Sequence, residues 1–261
     1  MDAGPAPIDE DDPSYVGALA RGLAVIRAFD VGRESLTLAD VAKMTALPRA
    51  TVRRSLLTLQ ALGYVATDGK QFRLTPRILS LGYAYLASTP MTRVLQPALE
   101  AVSERTHESC SACTLDGPEI VYVARAATRR IMSVGLAVGS RLPAFCTSMG
   151  RILLAAETPE RARAILADSE RKPFTPHTVT DVSALLEILA GVRQAGYCLV
   201  DQELEVGLRS IAVPVRNSAG QVVAAMNVSA QAGRVSPDHL KGVALPILRD
   251  QAESLRASLV A

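Results

Sequence analysis

The sequence predicts an α+β protein in two parts, a small helical module ending in a hairpin and a larger domain of mixed strands and helices. Three observations predict it. Apolar residues recur at three-to-four spacing through the first sixty or so positions. An Asp-Gly pair at 68–69 then stands between two short strand-like runs. From residue 90 to 261, strand-like and helical patterns alternate, as in a domain built on an antiparallel sheet.

The 261 residues are 49% hydrophobic, enough to fill real cores, and no run of eighteen apolar residues suggests a membrane span. Residues 1–13 carry Asp2, Asp9, Glu10, Asp11 and Asp12 and no base. A signal peptide needs a basic and then an apolar region, so this segment reads as a short disordered acidic tail. The four cysteines, Cys110, Cys113, Cys146 and Cys198, then imply reduced thiols in a cytoplasmic protein. The net charge of +2 hides a division along the chain. The tail contributes −5, residues 14–80 contribute +6 and the remainder +1. A basic module of that size is the electrostatic footprint of phosphate binding.

The first helix is expected over Ser14–Asp30, with Val16, Leu19, Leu23, Ile26 and Phe29 as its apolar stripe. Thr37, three residues before Asp40, opens a second, short helix that runs through Thr45. Ala46 and Leu47 make a tight turn, and Pro48 suits the first position of a third helix, which Gly63 caps. Two helices joined by so short a turn form a helix-turn-helix, here over about residues 38–57. Small Ala42 and Ala46 allow close approach, and Leu47 and Val52 lock the pair. On the third helix Val52, Leu56 and Leu59 point inward together. That leaves Arg49, Ala50, Thr51, Arg53, Arg54 and Thr58 for base edges and phosphates in a major groove. The hairpin from Tyr64 to Leu74 forms a wing in which Lys70 and Arg73 reach the neighbouring backbone. The winged helix-turn-helix domain is thus assigned to 14–75, with double-stranded DNA as its partner.

Thr75 and Pro76 open a linker helix at 76–89. After Arg77 it is uncharged through Ala87, and a helix apolar all round must be covered all round. The same helix of a second subunit is the expected cover, because helix-turn-helix proteins read twofold operators as dimers.

The domain at 90–261 begins with a helix at Met91–Thr106, its stripe made of Val94, Leu95, Leu99 and Val102. Strands are expected at Ser109–Leu115, Glu119–Ala126, Ile131–Leu136, Cys198–Val200, Ser210–Arg216 and Val222–Ser229. Asp116, Gly117 and Pro118 turn between the first two, and Asn217 to Gly220 between the last two. Helices fall near Ser148, at Glu160–Ala167, at Val182–Ala195 and from Pro237 to Leu259.

Two further chemistries were weighed. Cys110 and Cys113 form a C-x-x-C, so a zinc-dependent or redox-sensing regulator is the alternative reading. No second cysteine or histidine pair completes four zinc ligands, and on a strand residues three apart face opposite ways. Buried apolar cysteines are preferred, with no metal and no cofactor. An enzyme would need a nucleophile and a base. Cys146, Thr147 and Ser148 lie at a helix start, but His107, His177 and His239 have no evident partner, and no catalytic residue is assigned.

The runs Gly139–Ala155 (GSRLPAFCTSMGRILLA) and Asp201–Val215 (DQELEVGLRSIAVPV) strongly resemble the IclR family of regulators. Leu19–Phe29 and Leu62–Val65 match its DNA-binding half. Within the family, Arg129–Met132, Thr147–Gly150 and Val200–Glu205 are most similar to the branch governing protocatechuate, 4-hydroxybenzoate and β-ketoadipate catabolism. The resemblance implies a GAF-like effector-binding domain, a homodimer or dimer of dimers, and DNA binding altered by a small organic acid of that class. It places the effector at Ile131, Val134, Leu142, Ser148, Met149, Asp201, Ser210, Asn227 and Ser229. The helix starting near Ser148 supports such a site, since its free backbone N–H groups and positive dipole end suit an anion.

Overall fold

The computed structural model describes residues 11–30, 32–88, 90–127 and 136–259. Most of the acidic tail and nearly all of the strand expected at Ile131–Leu136 lie outside the described residues. The chain divides into two compact units, Met1–Tyr85 and Leu86–Ala261. No helix among the described residues is long and apolar enough to cross a membrane.

In the first unit α1 (Gly17–Arg27), α2 (Leu38–Thr45) and α3 (Arg49–Ala61) pack over a small antiparallel sheet. The sheet holds β1 (Leu36–Thr37), β2 (Val65–Thr67) and β3 (Gln71–Leu74) in the order β1-β3-β2. The capping box at α2 is complete. Thr37 Oγ1 accepts from Asp40 N at 3.2 Å, while Asp40 Oδ2 accepts from Thr37 N at 3.0 Å. Ala46 ends α2 with a positive φ of 55°, a left-handed turn that its Cβ makes costly. Pro48 stands just before α3 rather than inside it. Val25, Val41, Val52 and Leu56 are fully buried at the centre.

The stripe expected on α1 needs correction. Val16 and Leu19 are 64% and 63% exposed and Leu23 is also exposed, whereas Val25 and Ala28 are buried. Ile26 and Phe29 of the expected stripe do pack against the core, so the helix meets its neighbours through its C-terminal part, and the spacing alone does not say where so apolar a helix turns inward. The two-residue β1, which pairs Leu36 with Phe72, is an element the sequence did not suggest.

A 3₁₀ turn at Pro76–Ile78, capped by the Thr75 hydroxyl, runs into α4 (Leu79–Ser88). The second unit opens with α5 (Pro90–Thr106). Its sheet is built from β4 (Ser109–Asp116), β5 (Glu119–Ala126), β6 (Arg141–Pro143), β7 (Cys198–Asp201), β8 (Leu208–Arg216) and β9 (Val222–Gln231). The order is β6-β5-β4-β9-β8-β7, and every adjacent pair is antiparallel. Each face carries its own core. On one, Leu95, Leu99 and Val102 of α5 join the helix α9 (Leu245–Leu255) over Cys110, Ile211 and Met226. On the other lie α6 (Ser148–Ala156), α7 (Pro159–Asp168) and α8 (Val182–Ala195), packed over Cys113, Ile120 and Ala212. The helix expected from Pro237 to Leu259 is interrupted by a π turn at Leu240–Ala244, and β6 is an additional strand.

What seats α6 against the turn that precedes it is a glycine. An ideal Cβ at Gly150 would stand 2.2 Å from the Ala144 carbonyl oxygen and 2.5 Å from Thr147 Oγ1. The turn before α6 therefore touches the helix at backbone contact, and Thr147 fastens it by accepting from Gly150 N and donating to Pro143 O. Gly150→Ala should destabilise the second unit by about 1–3 kcal/mol, since neither backbone nor cap has room to yield. Urea unfolding followed by circular dichroism measures this, and a midpoint equal to that of the parent would refute the close approach.

Candidate functional site

Two surfaces carry the chemistry expected from the sequence. On the first unit, Arg49, Ala50, Arg53, Arg54 and Thr58 are exposed along one side of α3, and Thr51 is half-buried. Thr58 Oγ1 is turned back onto the Arg54 carbonyl at 2.9 Å. Lys70 and Arg73 are exposed on the hairpin, whose Asp68 turn is held by bonds from Lys70 N and Gln71 N. Those two bonds hold the Asp68 carboxyl below its ordinary range. None of the five cations is ion-paired with a carboxylate among the described residues. The inward set, Val52, Leu56 and Leu59, is buried.

The second unit holds a cavity of about 360 Å³ between α6 and the sheet. Pairing sets its floor. Ser109, Ser229, Ser210 and Val200 lie opposite one another across β4, β9, β8 and β7, so three hydroxyls share one row. In the next row Ser111 faces Asn227, which lies two residues from Ser229 on the same face. Above the floor, the Ser148 hydroxyl at the start of α6 bonds the Ser210 hydroxyl at 2.8 Å. Asn227 donates from Nδ2 to Ser229 Oγ at 2.9 Å, and its buried Oδ1 has no partner. Leu142 and Met149 contribute apolar wall.

The structure thus brings Leu142, Ser148, Met149, Ser210, Asn227 and Ser229 together around one cavity. Ile131 and Val134 lie outside the described residues. Asp201 does not line the cavity. Alternation along β7 puts Val200 on the cavity face and Asp201 on the other, where Arg209 NH2 donates to Asp201 Oδ2 at 2.8 Å. That bond and the guanidinium charge hold the Asp201 carboxyl below its ordinary range.

Several lining residues were missed, among them Ser109, Tyr122, Arg125, Val200, Leu204 and Glu205. Ser109 joins through pairing with a strand at the far end of the domain, which no local pattern reveals. Arg125 left a readable trace as a lone cation in the apolar run Ile120–Ala126. It is the one cationic side chain among the described lining residues, and its guanidinium makes a single long contact, 3.5 Å, to Ser111 Oγ. Burial pushes the Tyr122 phenol up, so it stays a neutral donor.

Cys110 and Cys113 sit in the cores on opposite faces of the sheet. Burial raises both thiols well above the ordinary range and pushes Cys146 and Cys198 up to about 12. His107, His177 and His239 are exposed, and none lines the cavity.

The helix-turn-helix and the cavity-bearing sheet each match a known domain model. Residues 18–69 match the IclR helix-turn-helix domain, and residues 83–257 match the bacterial transcriptional regulator IclR C-terminal domain. The chain belongs to the IclR family. It is a DNA-binding transcriptional regulator with an α+β effector domain. It is 50% identical over 238 residues to the Pca regulon regulatory protein of Pseudomonas putida, covering 91% of this chain and 82% of that one. It is 40% identical over 247 residues to the p-hydroxybenzoate hydroxylase transcriptional activator of Acinetobacter baylyi, covering 93% and 91%. Among solved structures, an IclR homologue from Microbacterium hydrocarbonoxydans in complex with 4-hydroxybenzoate superposes with a TM-score of 0.78. That match is 28% identical and covers 92% of this chain and 97% of the other.

Proposed function

We propose that the chain works in the cytoplasm as a regulator of aromatic-acid catabolism, its operator binding set by a small organic acid held in the cavity. The observation that carries this reading is Arg125, a cation in the same sheet row as Ser111 and Asn227, beside the hydroxyl row and the unpartnered amide oxygen on the floor of a largely apolar cavity. A cavity above 300 Å³ with a few placed polar groups suits a small organic ligand. The relatives named for the Pca regulon and for p-hydroxybenzoate hydroxylase, and the homologue holding 4-hydroxybenzoate, point to the same class.

The ligand carboxylate has two seats to choose from. The sequence suggests the N-terminus of α6, which offers roughly half a charge. Arg125 offers a full charge on a planar fork that matches a carboxylate. Thr147 already occupies one of the α6 donors, Gly150 N. The carboxylate therefore goes to Arg125, and Ser148, Ser210, Asn227 and Ser229 read the remaining oxygens. Leu142 and Met149, with Ile131 and Val134 by resemblance, meet the body of the ligand. Protocatechuate, 4-hydroxybenzoate and β-ketoadipate all supply that carboxylate, and a thermal-shift titration with each distinguishes them. Arg125→Met should weaken the acid that binds by about 10–100-fold. Ser210→Leu, which fills the cavity, should abolish the response while ligand-free operator binding persists. If both variants respond at parental concentrations, the effector binds elsewhere.

On the DNA side, α3 enters the major groove, where Arg53 and Arg54 meet base edges or phosphates beside Arg49, Ala50, Thr51 and Thr58. The wing places Lys70 and Arg73 on the flanking backbone. Arg53→Ala or Arg54→Ala should cost about 1–3 kcal/mol of operator affinity with the fold intact. Parental gel-shift titrations for both would show that α3 is not the reading helix.

A homodimer, alone or paired into a dimer of dimers, completes this reading. Leu79, Leu81 and Tyr83 of α4 are exposed, with Leu79 and Tyr83 at 71% and 69%, and such a surface calls for a second copy. Leu81→Asp or Tyr85→Asp should shift the mass measured by light scattering toward the monomer. A monomeric parent at micromolar concentration would contradict the assembly.

A further inference from the structure

A buried, bidentate ion pair of the second unit lies beside the residues that line the cavity. Arg151 is 3% exposed, and its guanidinium meets the Glu203 carboxylate in a bidentate pair, NH1 to Oε1 and NH2 to Oε2, both at 2.6 Å. Its third nitrogen, Nε, donates to the Phe145 carbonyl at 2.7 Å. Glu203 Oε2 also accepts from Val179 N at 3.1 Å. Neither side chain lines the cavity, but both of their neighbourhoods do. Arg151 follows Ser148 and Met149 on α6, and Glu203 directly precedes Leu204 and Glu205, which line the opposing wall.

The loop between β7 and β8, residues 202–207, is closed at its base by Gln202 N donating to Leu208 O at 2.8 Å and Gly207 N to Gln202 Oε1 at 3.0 Å, and its middle is held by neighbouring segments. Gln202 has a positive φ of 60°, a conformation that costs a residue with a Cβ. Around it, the Thr175 hydroxyl donates to the Gln202 carbonyl at 2.6 Å and the Thr178 hydroxyl to the Glu203 carbonyl at 2.5 Å. The loop is clasped between the segment 175–179 and α6, and Arg151 supplies every side-chain bond shown from the α6 side.

We propose that Arg151 and Glu203 are a positioning pair for effector recognition, holding the 202–207 loop at the distance from α6 that shapes the cavity. This rests on the reading of the cavity as the effector site. A buried pair contributes little net stability compared with apolar residues of similar size, because desolvation offsets the attraction. What it supplies instead is direction. Four hydrogen bonds at fixed angles, made by the two side chains, tie the loop to α6 and to Val179, and a pair of hydrocarbon side chains would supply only burial.

The decisive variant is therefore Arg151→Met combined with Glu203→Leu, which removes the bonds and keeps the volume apolar. The expected result has three parts. Ligand-free operator binding stays parental. Amide exchange in residues 203–207 rises about tenfold or more while α6 stays protected. The affinity for 4-hydroxybenzoate falls about tenfold or more. Glu203→Gln keeps the shape without the charge and should shift exchange and affinity in the same direction, which covers the case in which the double variant fails to fold. Parental loop exchange in a folded variant would overturn the proposal. Because that readout needs no ligand, it separates failure of the pair from failure of the effector reading. Faster exchange with unchanged 4-hydroxybenzoate affinity in a parent that binds it would overturn the positioning role equally.

Discussion

The pairing of β4 with β9 joins the beginning of the second unit to its end, and everything around the cavity follows from that register. Ser109 stands opposite Ser229, and Ser229 opposite Ser210, only because the two strands meet without slippage. A slip of one residue would turn every hydroxyl to the opposite core and bring apolar side chains to the cavity. Closing so long a loop costs chain entropy, which is offset by two apolar layers packed on the two faces of the sheet. The sheet is thus a central partition with both faces committed. One face is covered by α5 and α9, and the cavity lies on the other, between α6 and the floor.

Charge is managed in opposite ways in the two units. In the second, several cations are tied down to carboxylates. Arg151 holds Glu203, Arg209 holds Asp201 and the carbonyls of Ala232 and Val235, and Arg141 bridges Asp116 and Glu119. Arg125 departs from that rule, and it does so inside the cavity. In the first unit the departures become the rule, with the cations of α3 and the hairpin left facing solvent. A protein side chain with a fixed carboxylate partner has little to offer a phosphate or a ligand acid, so the unpaired arginines are the ones with work to do.

Much of this was legible in the sequence wherever the cause was local. Thr37 and Asp40 satisfy each other within one turn, Asp68 and Gly69 close a hairpin on themselves, and Val182–Ala195 carries its own cap in Asp181. The antiparallel sheet and most of its strands could be read for the same reason. What escaped depends on partners distant in sequence. The inward face of α1 is chosen by α2 and α3 rather than by its own pattern. The exchange of Asp201 for Val200 at the cavity turns on strand parity, which a one-residue uncertainty in placement reverses. Ser109 and Glu205 become neighbours of the site only through the folded sheet and the β7–β8 loop. Pairs three apart on a strand, by contrast, needed no partner to interpret, and Cys110 and Cys113 were placed on opposite faces correctly.

The glycine beneath α6 has a consequence for how this protein can change over generations. Because the helix rests against the preceding turn through backbone, the place where α6 starts is set by that contact rather than by the bulk of the lining side chains. Exchanging the half-buried Leu142 for a larger or smaller residue resurfaces the chamber without moving that contact, whereas the fully buried Met149 is also core and carries a folding cost when its size changes. Taste for one acid over another can therefore drift through single substitutions at the half-buried part of the wall. The contact itself has no such latitude, since even one methyl at position 150 is more than it admits.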